Sequence, residues 1–161
     1  MILGHRLSRQ LLVCTTLALV SFAVAEDSLA IAVMALVLNW AGWYFNERAM
    51  HRKGRDPVGV ARWLSTTLLA LAVIAAVIRG YLERDVISSF LWLLASILLL
   101  KMWERRDVRD YGQMLTVSIF MTIGATLSDN SLLMGVTLLI QVPVVAGGVM
   151  TYQMHAAAVR A

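Results

Sequence analysis

Six long apolar stretches separated by short polar segments make up almost the whole chain. They cover approximately 10–25, 28–45, 58–78, 86–100, 111–127 and 131–152, and the only Asp, Glu, Lys or Arg inside them is Arg62, near one end of the third. A helix needs about 20 predominantly apolar residues to cross the hydrocarbon core of a bilayer. The pattern therefore predicts an all-α, polytopic transmembrane bundle of about six helices, one domain over 1–161. The shorter stretches are expected to recruit flanking residues such as Leu7 or Lys101, whose long side chains reach the headgroups. Helix-start signals fall between the stretches: Asp56-Pro57, Asp85 and Asp129-Asn130. The turns at Glu26-Asp27 and 128–130 are short enough to make tight antiparallel hairpins of helices one and two and of helices five and six.

Composition agrees. Hydrophobic residues are 60% of the chain and charged residues 15%, against about 45–50% and 25% in soluble domains, and the mean hydropathy is +0.74. There is too little polar surface for water, so the bilayer is the expected solvent and partner. Six spans leave no room for a soluble domain, and neither low-complexity segments nor a strict repeat is present. A net charge of +4 raises nucleic acid as a partner, but the basic residues cluster between the apolar stretches, where membrane topology accounts for them. Residues 1–9, 46–62 and 101–110 and the C-terminal tail hold twelve of the 14 Lys and Arg, and the intervening turns hold only Arg79 and Arg84. The positive-inside rule then places those four segments, and both termini, in the cytoplasm. Trp40, Trp43, Tyr44, Trp63, Trp103 and Tyr111 would form an aromatic belt on that side. A competing reading of the start is a cleavable signal peptide, since basic residues, an apolar run and Ala23-Val24-Ala25 imitate one; cleavage before Glu26 would reduce six helices to five.

Candidate chemistry is sparse. His5, His51 and His155 lie on three separate segments, so neither a metal site nor another cofactor site is predicted. Cys14 is the single cysteine; it sits at membrane depth without a histidine or carboxylate in any span, which makes it a core thiol rather than a nucleophile. The polar residues at membrane depth are Asn39, Gln113, Gln141, serines and threonines, most simply helix-to-helix hydrogen-bonding groups. In a small transporter or channel, Asn39, Gln113 and Gln141 would line the path, and Pro143 with Gly147-Gly148 would loosen the sixth helix as a gate. Small residues, Gly42, Gly124, Ala125, Gly147 and Gly148, would suit a subunit of a larger membrane complex. The most distinctive polar segment is 101–110. If it stays helical, Lys101 with Glu104 and Arg106 with Asp110 fall at pairing distance, so Lys101, Glu104, Arg109 and Asp110 form a candidate structural cap packed on 46–56. The alternative is a topogenic loop facing lipid headgroups.

At this segment a resemblance enters. Leu98-Leu99-Leu100-Lys101, Glu104, Arg109-Asp110, an apolar helix with Phe120, a short polar turn and Ser131-Leu132, with Arg62-Trp63 upstream, resemble the N-terminal membrane domain of bacterial transglutaminase-like membrane proteins of the TgpA type, over roughly 57–147. The chain departs from that pattern at Val108, where members often carry a second arginine before the Arg-Asp pair, and Arg105-Arg106-Asp107 forms a near-repeat of it. The resemblance implies a multi-pass protein of the bacterial cytoplasmic membrane whose helices anchor an extracytoplasmic cysteine-type catalytic domain. Members continue into a further helix and a domain with a Cys-His-Asp triad, to which nothing in these 161 residues corresponds. The expected role is therefore anchoring or scaffolding without catalysis of its own, with other membrane subunits or a separate extracytoplasmic domain as partners.

Overall fold

A computed structural model describes residues 2–51, 62–104, 108–129 and 131–160. They form six helices: α1 Ile2–Ala25, α2 Leu29–His51, α3 Arg62–Glu83, α4 Val86–Glu104, α5 Val108–Ser128 and α6 Leu132–Arg160. No strand occurs among the described residues. The expected number and order of helices hold, but several ends extend further: α1 starts at Ile2, α2 continues to His51 and α6 to Arg160, while 58–61 of the third stretch lie outside the described residues. The apolar stretch marks what a span buries in lipid, whereas the backbone keeps its own hydrogen bonds into the flanking polar residues. The Asp56-Pro57 start signal lies outside the described residues.

Turn chemistry fixes the hairpins. Asp27 takes a left-handed conformation (φ 48°), its amide donating to Val24 O and that of Ser28 to Ala23 O. This is a Schellman closure of α1 with aspartate in the place usually held by glycine. Ser28 then caps α2, its Oγ accepting from the Ile31 amide at 3.5 Å. Asp85 caps α4 as expected, its Oδ1 accepting from the amides of Ile87 and Ser88, each at 3.1 Å. At α6 the cap is Ser131, which accepts from the Met134 amide at 3.2 Å and is held in turn by Asp129. The cap thus falls on the residue after the expected Asp129-Asn130 pair, because a serine hydroxyl reaches the third helical amide from the residue directly before the helix.

Contacts between the turns show that the helices alternate in direction. Glu26, between α1 and α2, pairs with Arg79 and Ser88 beside the α3–α4 turn. At the opposite end Ser8 bonds Glu47, Asn46 bonds the Met102 carbonyl, and Lys101 pairs with Asp110. The first of these ends is called the turn end below, the second the basic end.

The centre of the bundle is α1. Of its apolar window 61% is buried, against 6% for that of α3. Helices α2, α4, α5 and α6 all pack on α1, whereas among the described residues α3 packs only on α4. Glycines allow close approaches: a Cβ on Gly148 of α6 would lie 3.1 Å from Cys14 Sγ and 3.2 Å from Leu115.

Polarity runs opposite to that of a water-soluble fold. Ser8, Thr15, Ser21, Asn39, Ser118 and Gln141 are buried, while Val37, Ile74, Val77 and Leu139 point outward and are more than half exposed. Lipid reverses the usual arrangement because it solvates apolar side chains and leaves polar ones to find partners inside. Five helices, α1, α2, α3, α4 and α6, are long and apolar enough to cross a membrane. This is a helical membrane protein. Helix α5 is not among the five: it carries Arg109, Asp110 and Gln113 near its start and five hydroxyl residues beyond. Four of those hydroxyls, on Thr116, Ser118, Thr122 and Thr126, donate back to the carbonyl four residues earlier, which satisfies them within the helix.

Candidate functional site

Two regions gather the polar groups singled out in the sequence: the interior around α1 and the basic end.

In the interior, Gln141 of α6 is almost fully buried. Its Oε1 accepts from Ser21 Oγ at 2.9 Å and its Nε2 donates to Thr122 Oγ1, joining α1, α5 and α6. Asn39 of α2 donates to Thr16 Oγ1 at 3.2 Å. Thr16 and Ser21 point about 140° apart around α1, so the helix stands between the two sets. Gln113 lies elsewhere again, in a groove near the basic end. The three residues expected to line a path are therefore not brought together. Cys14 is buried and free, 3.6 Å from the Val144 carbonyl as a weak donor. Helix α6 continues through Pro143, and Gly148 is filled by Cys14 and Leu115. The other small residues likewise face this chain's own helices: a Cβ on Gly42 would meet Trp103 at 3.0 Å and one on Gly124 would meet Leu91 at 2.9 Å, and Ala125 is fully buried.

At the basic end, Trp43 Nε1 donates to Ser8 Oγ at 3.0 Å, Ser8 donates to Glu47 at 2.9 Å, and Asn46 Nδ2 donates to the Met102 carbonyl at 2.5 Å. Of the four cap residues, Lys101 and Asp110 meet across the α4–α5 connection at 3.2 Å, both partly buried. The lysine ends one helix and the aspartate begins the next, so each charge also opposes the dipole of its own helix end. Glu104 is half-buried on the last turn of α4, and Arg109 is exposed. The structure thus joins two of the four, while Arg106 and much of 46–56 lie outside the described residues. Of the aromatic belt, Trp40 and Tyr44 point outward, Trp43 and Trp103 are half-buried, and Tyr111 is buried. Trp63 belongs to the start of α3, whose side chains there are outside the described set.

A third cluster, at the turn end, has no sequence spacing to announce it. Glu26, its side chain 10% exposed, pairs with Arg79 at 3.4 Å and accepts from Ser88. The Arg79 guanidinium lies 4.9 Å from the centre of the Trp92 ring, which meets Phe22 edge-on at 5.3 Å. One signal was available: Arg79 is one of only two basic residues in the basic-poor turns, and a cation at a span end requires a partner. Among the described residues no group of three or more His, Cys, Asp or Glu is placed to hold a metal.

Comparison of the chain with family models, curated proteins and solved structures returns no match.

Proposed function

We propose that this chain is a membrane-embedded anchoring and scaffolding domain with no reaction of its own, seated in a bacterial cytoplasmic membrane with its basic end inside. The observation that carries the reading is the filled centre: α1 is enclosed by four helices, and the interior amide of Gln141 is bonded on both sides within the bundle. Such an interior holds helices in fixed relation. Orientation rests on the distribution of Lys and Arg. The likeness of Lys101, Glu104, Arg109-Asp110, Phe120 and Ser131-Leu132 to transglutaminase-like membrane proteins supplies the class of partner, an extracytoplasmic catalytic domain.

Solute flux through proteoliposomes, comparing the parent with Gln141→Leu, separates this reading from a transporter or channel. A scaffold gives the flux of protein-free vesicles in both. Flux in the parent that disappears in Gln141→Leu would replace the scaffold with a conduction path through α1, α5 and α6.

A further inference from the structure

We infer that a groove on the outer face of α5, at the basic end, is a binding site for one anionic glycerophospholipid. The inference depends on the chain being embedded in a membrane and stands apart from the scaffolding role. The groove, about 650 Å³, has α5 as its floor and α4 and α6 as its walls. Both walls pack on α5, but they do not pack on each other, so the groove opens outward, to lipid.

Its two ends differ in chemistry. At the mouth stand Arg109, exposed, and Lys101, which is paired with Asp110. The described charges lining the groove are two cations and, at its edge, one carboxylate, which leaves an excess of one positive charge, carried by Arg109. A planar guanidinium suits a phosphate diester, which it can engage through two parallel N–H donors. Deeper in, Ile97, Val117, Ile119 and Val149 line an apolar channel. From Arg109 to Ile119, α5 rises about 15 Å, half of a hydrocarbon core about 30 Å thick. An acyl chain lying below a phosphate at Arg109 would therefore end close to the bilayer midplane, as it must in one leaflet.

Gln113 supplies a second polar contact at a matching depth. It lies one helical turn below Arg109 on the same face, and its Oε1 is buried with no hydrogen-bond partner. With Oε1 on the buried side, the N–H donors of the amide are left for the groove, at the level where a phospholipid carries its ester carbonyls. Basic pockets between transmembrane helices are known to select anionic headgroups over zwitterionic ones, and this groove adds an apolar track of the right length.

The test is native mass spectrometry of the full chain in mild detergent, titrated with phosphatidylglycerol or with phosphatidylcholine of the same acyl chains. The expected result is preferential retention of phosphatidylglycerol, with affinity reduced about fivefold by Arg109→Gln and both lipids displaced by Val149→Trp, which fills the channel. Arg84→Gln, at the turn end, should leave binding unchanged. Thermal unfolding of each variant checks that it is folded, and Gln113→Leu provides a second probe if Val149→Trp is not. Equal binding of the two lipids overturns the inference. So does phosphatidylglycerol binding that survives both Arg109→Gln and the channel probe, or that falls equally with Arg84→Gln. Displacement of the lipid by soluble glycerol phosphate at similar concentration also overturns it, because the apolar track would then contribute nothing.

Discussion

Gly148 and Gly135 lie on the same helix and in opposite surroundings, so they test what a side chain means at each place. A Cβ on Gly148 would press on Cys14 Sγ at 3.1 Å and on Leu115 at 3.2 Å, while one on Gly135 would meet nothing within 4 Å. Gly148→Val is therefore expected to cost about 1–3 kcal/mol, the range of overpacked interiors, and Gly135→Val no more than about 0.5 kcal/mol. Thermal unfolding in detergent reads both. Adding Cys14→Ala to Gly148→Val removes one of the two obstructions and should recover part of the loss; a strictly additive double variant would place the obstruction elsewhere. Sequence made the thiol legible as a core residue, because nothing at membrane depth could activate it. The glycines were less legible, since a small residue on a transmembrane helix marks a close approach without saying to which neighbour. Gly42, Gly124 and Gly148 all turn out to face helices of this chain.

Helix ends divide the four candidate cap residues. Asp110 is held by Lys101 at 3.2 Å with its side chain 16% exposed, whereas Arg109 is exposed. Asp110→Asn should then lower the unfolding midpoint by the equivalent of about 1 kcal/mol, as for a partly solvated ion pair, and Arg109→Lys should melt with the parent. Equal losses in both would mean that Arg109 has a structural partner after all. The turn end gives a larger effect. Among the described residues helix α3 packs on α4, and the Arg79–Glu26 pair ties it to the α1–α2 turn. Glu26→Ala removes a shielded, charged hydrogen-bond acceptor, and such bonds are worth about 1.5–3 kcal/mol. Hydrogen exchange should accelerate in 76–83 of α3 more than in α5; uniform acceleration would mean that α3 is not a separately tethered element. The existence and order of the helices were readable because each apolar stretch is long. The Glu26–Arg79–Ser88 cluster was not, because it joins a turn residue to one residue from each of two helices, far apart in the chain. The Schellman turn was also hidden, since aspartate at position 27 gives no glycine signal.

At the scale of the molecule, α5 is the helix whose crossing of the bilayer has to be tested. The other five helices are long and apolar enough to cross a membrane, but α5 begins with Arg109, Asp110 and Gln113 and carries hydroxyls along its length. What would hold it in lipid is its position: it packs on α1, α4 and α6, and its hydroxyls bond their own backbone. Sequence could show six stretches but not that the first would be the hub and the third the outlier, because the hydrophobic pattern records exposure to lipid and not which neighbour covers which face. The proposed orientation rests on charge: residues 1–9, 46–62 and 101–110 and the C-terminal tail hold twelve of the 14 Lys and Arg. Alkaline phosphatase, active only outside the cytoplasm, should be active when fused after Asp27, Glu83 or Asp129 and inactive after Lys53, Arg106 or Arg160. The pair at Arg106 and Asp129 isolates α5. If α5 crosses because its neighbours hold it, a fusion inserted at Asp129 within the full chain is active, and a chain truncated at Asp129, which lacks α6, loses much of that activity. Activity at Arg106 would invert the orientation. Equal activity in the inserted and truncated fusions at Asp129 would show that α5 inserts unaided, and that its packing against α6 follows insertion instead of causing it.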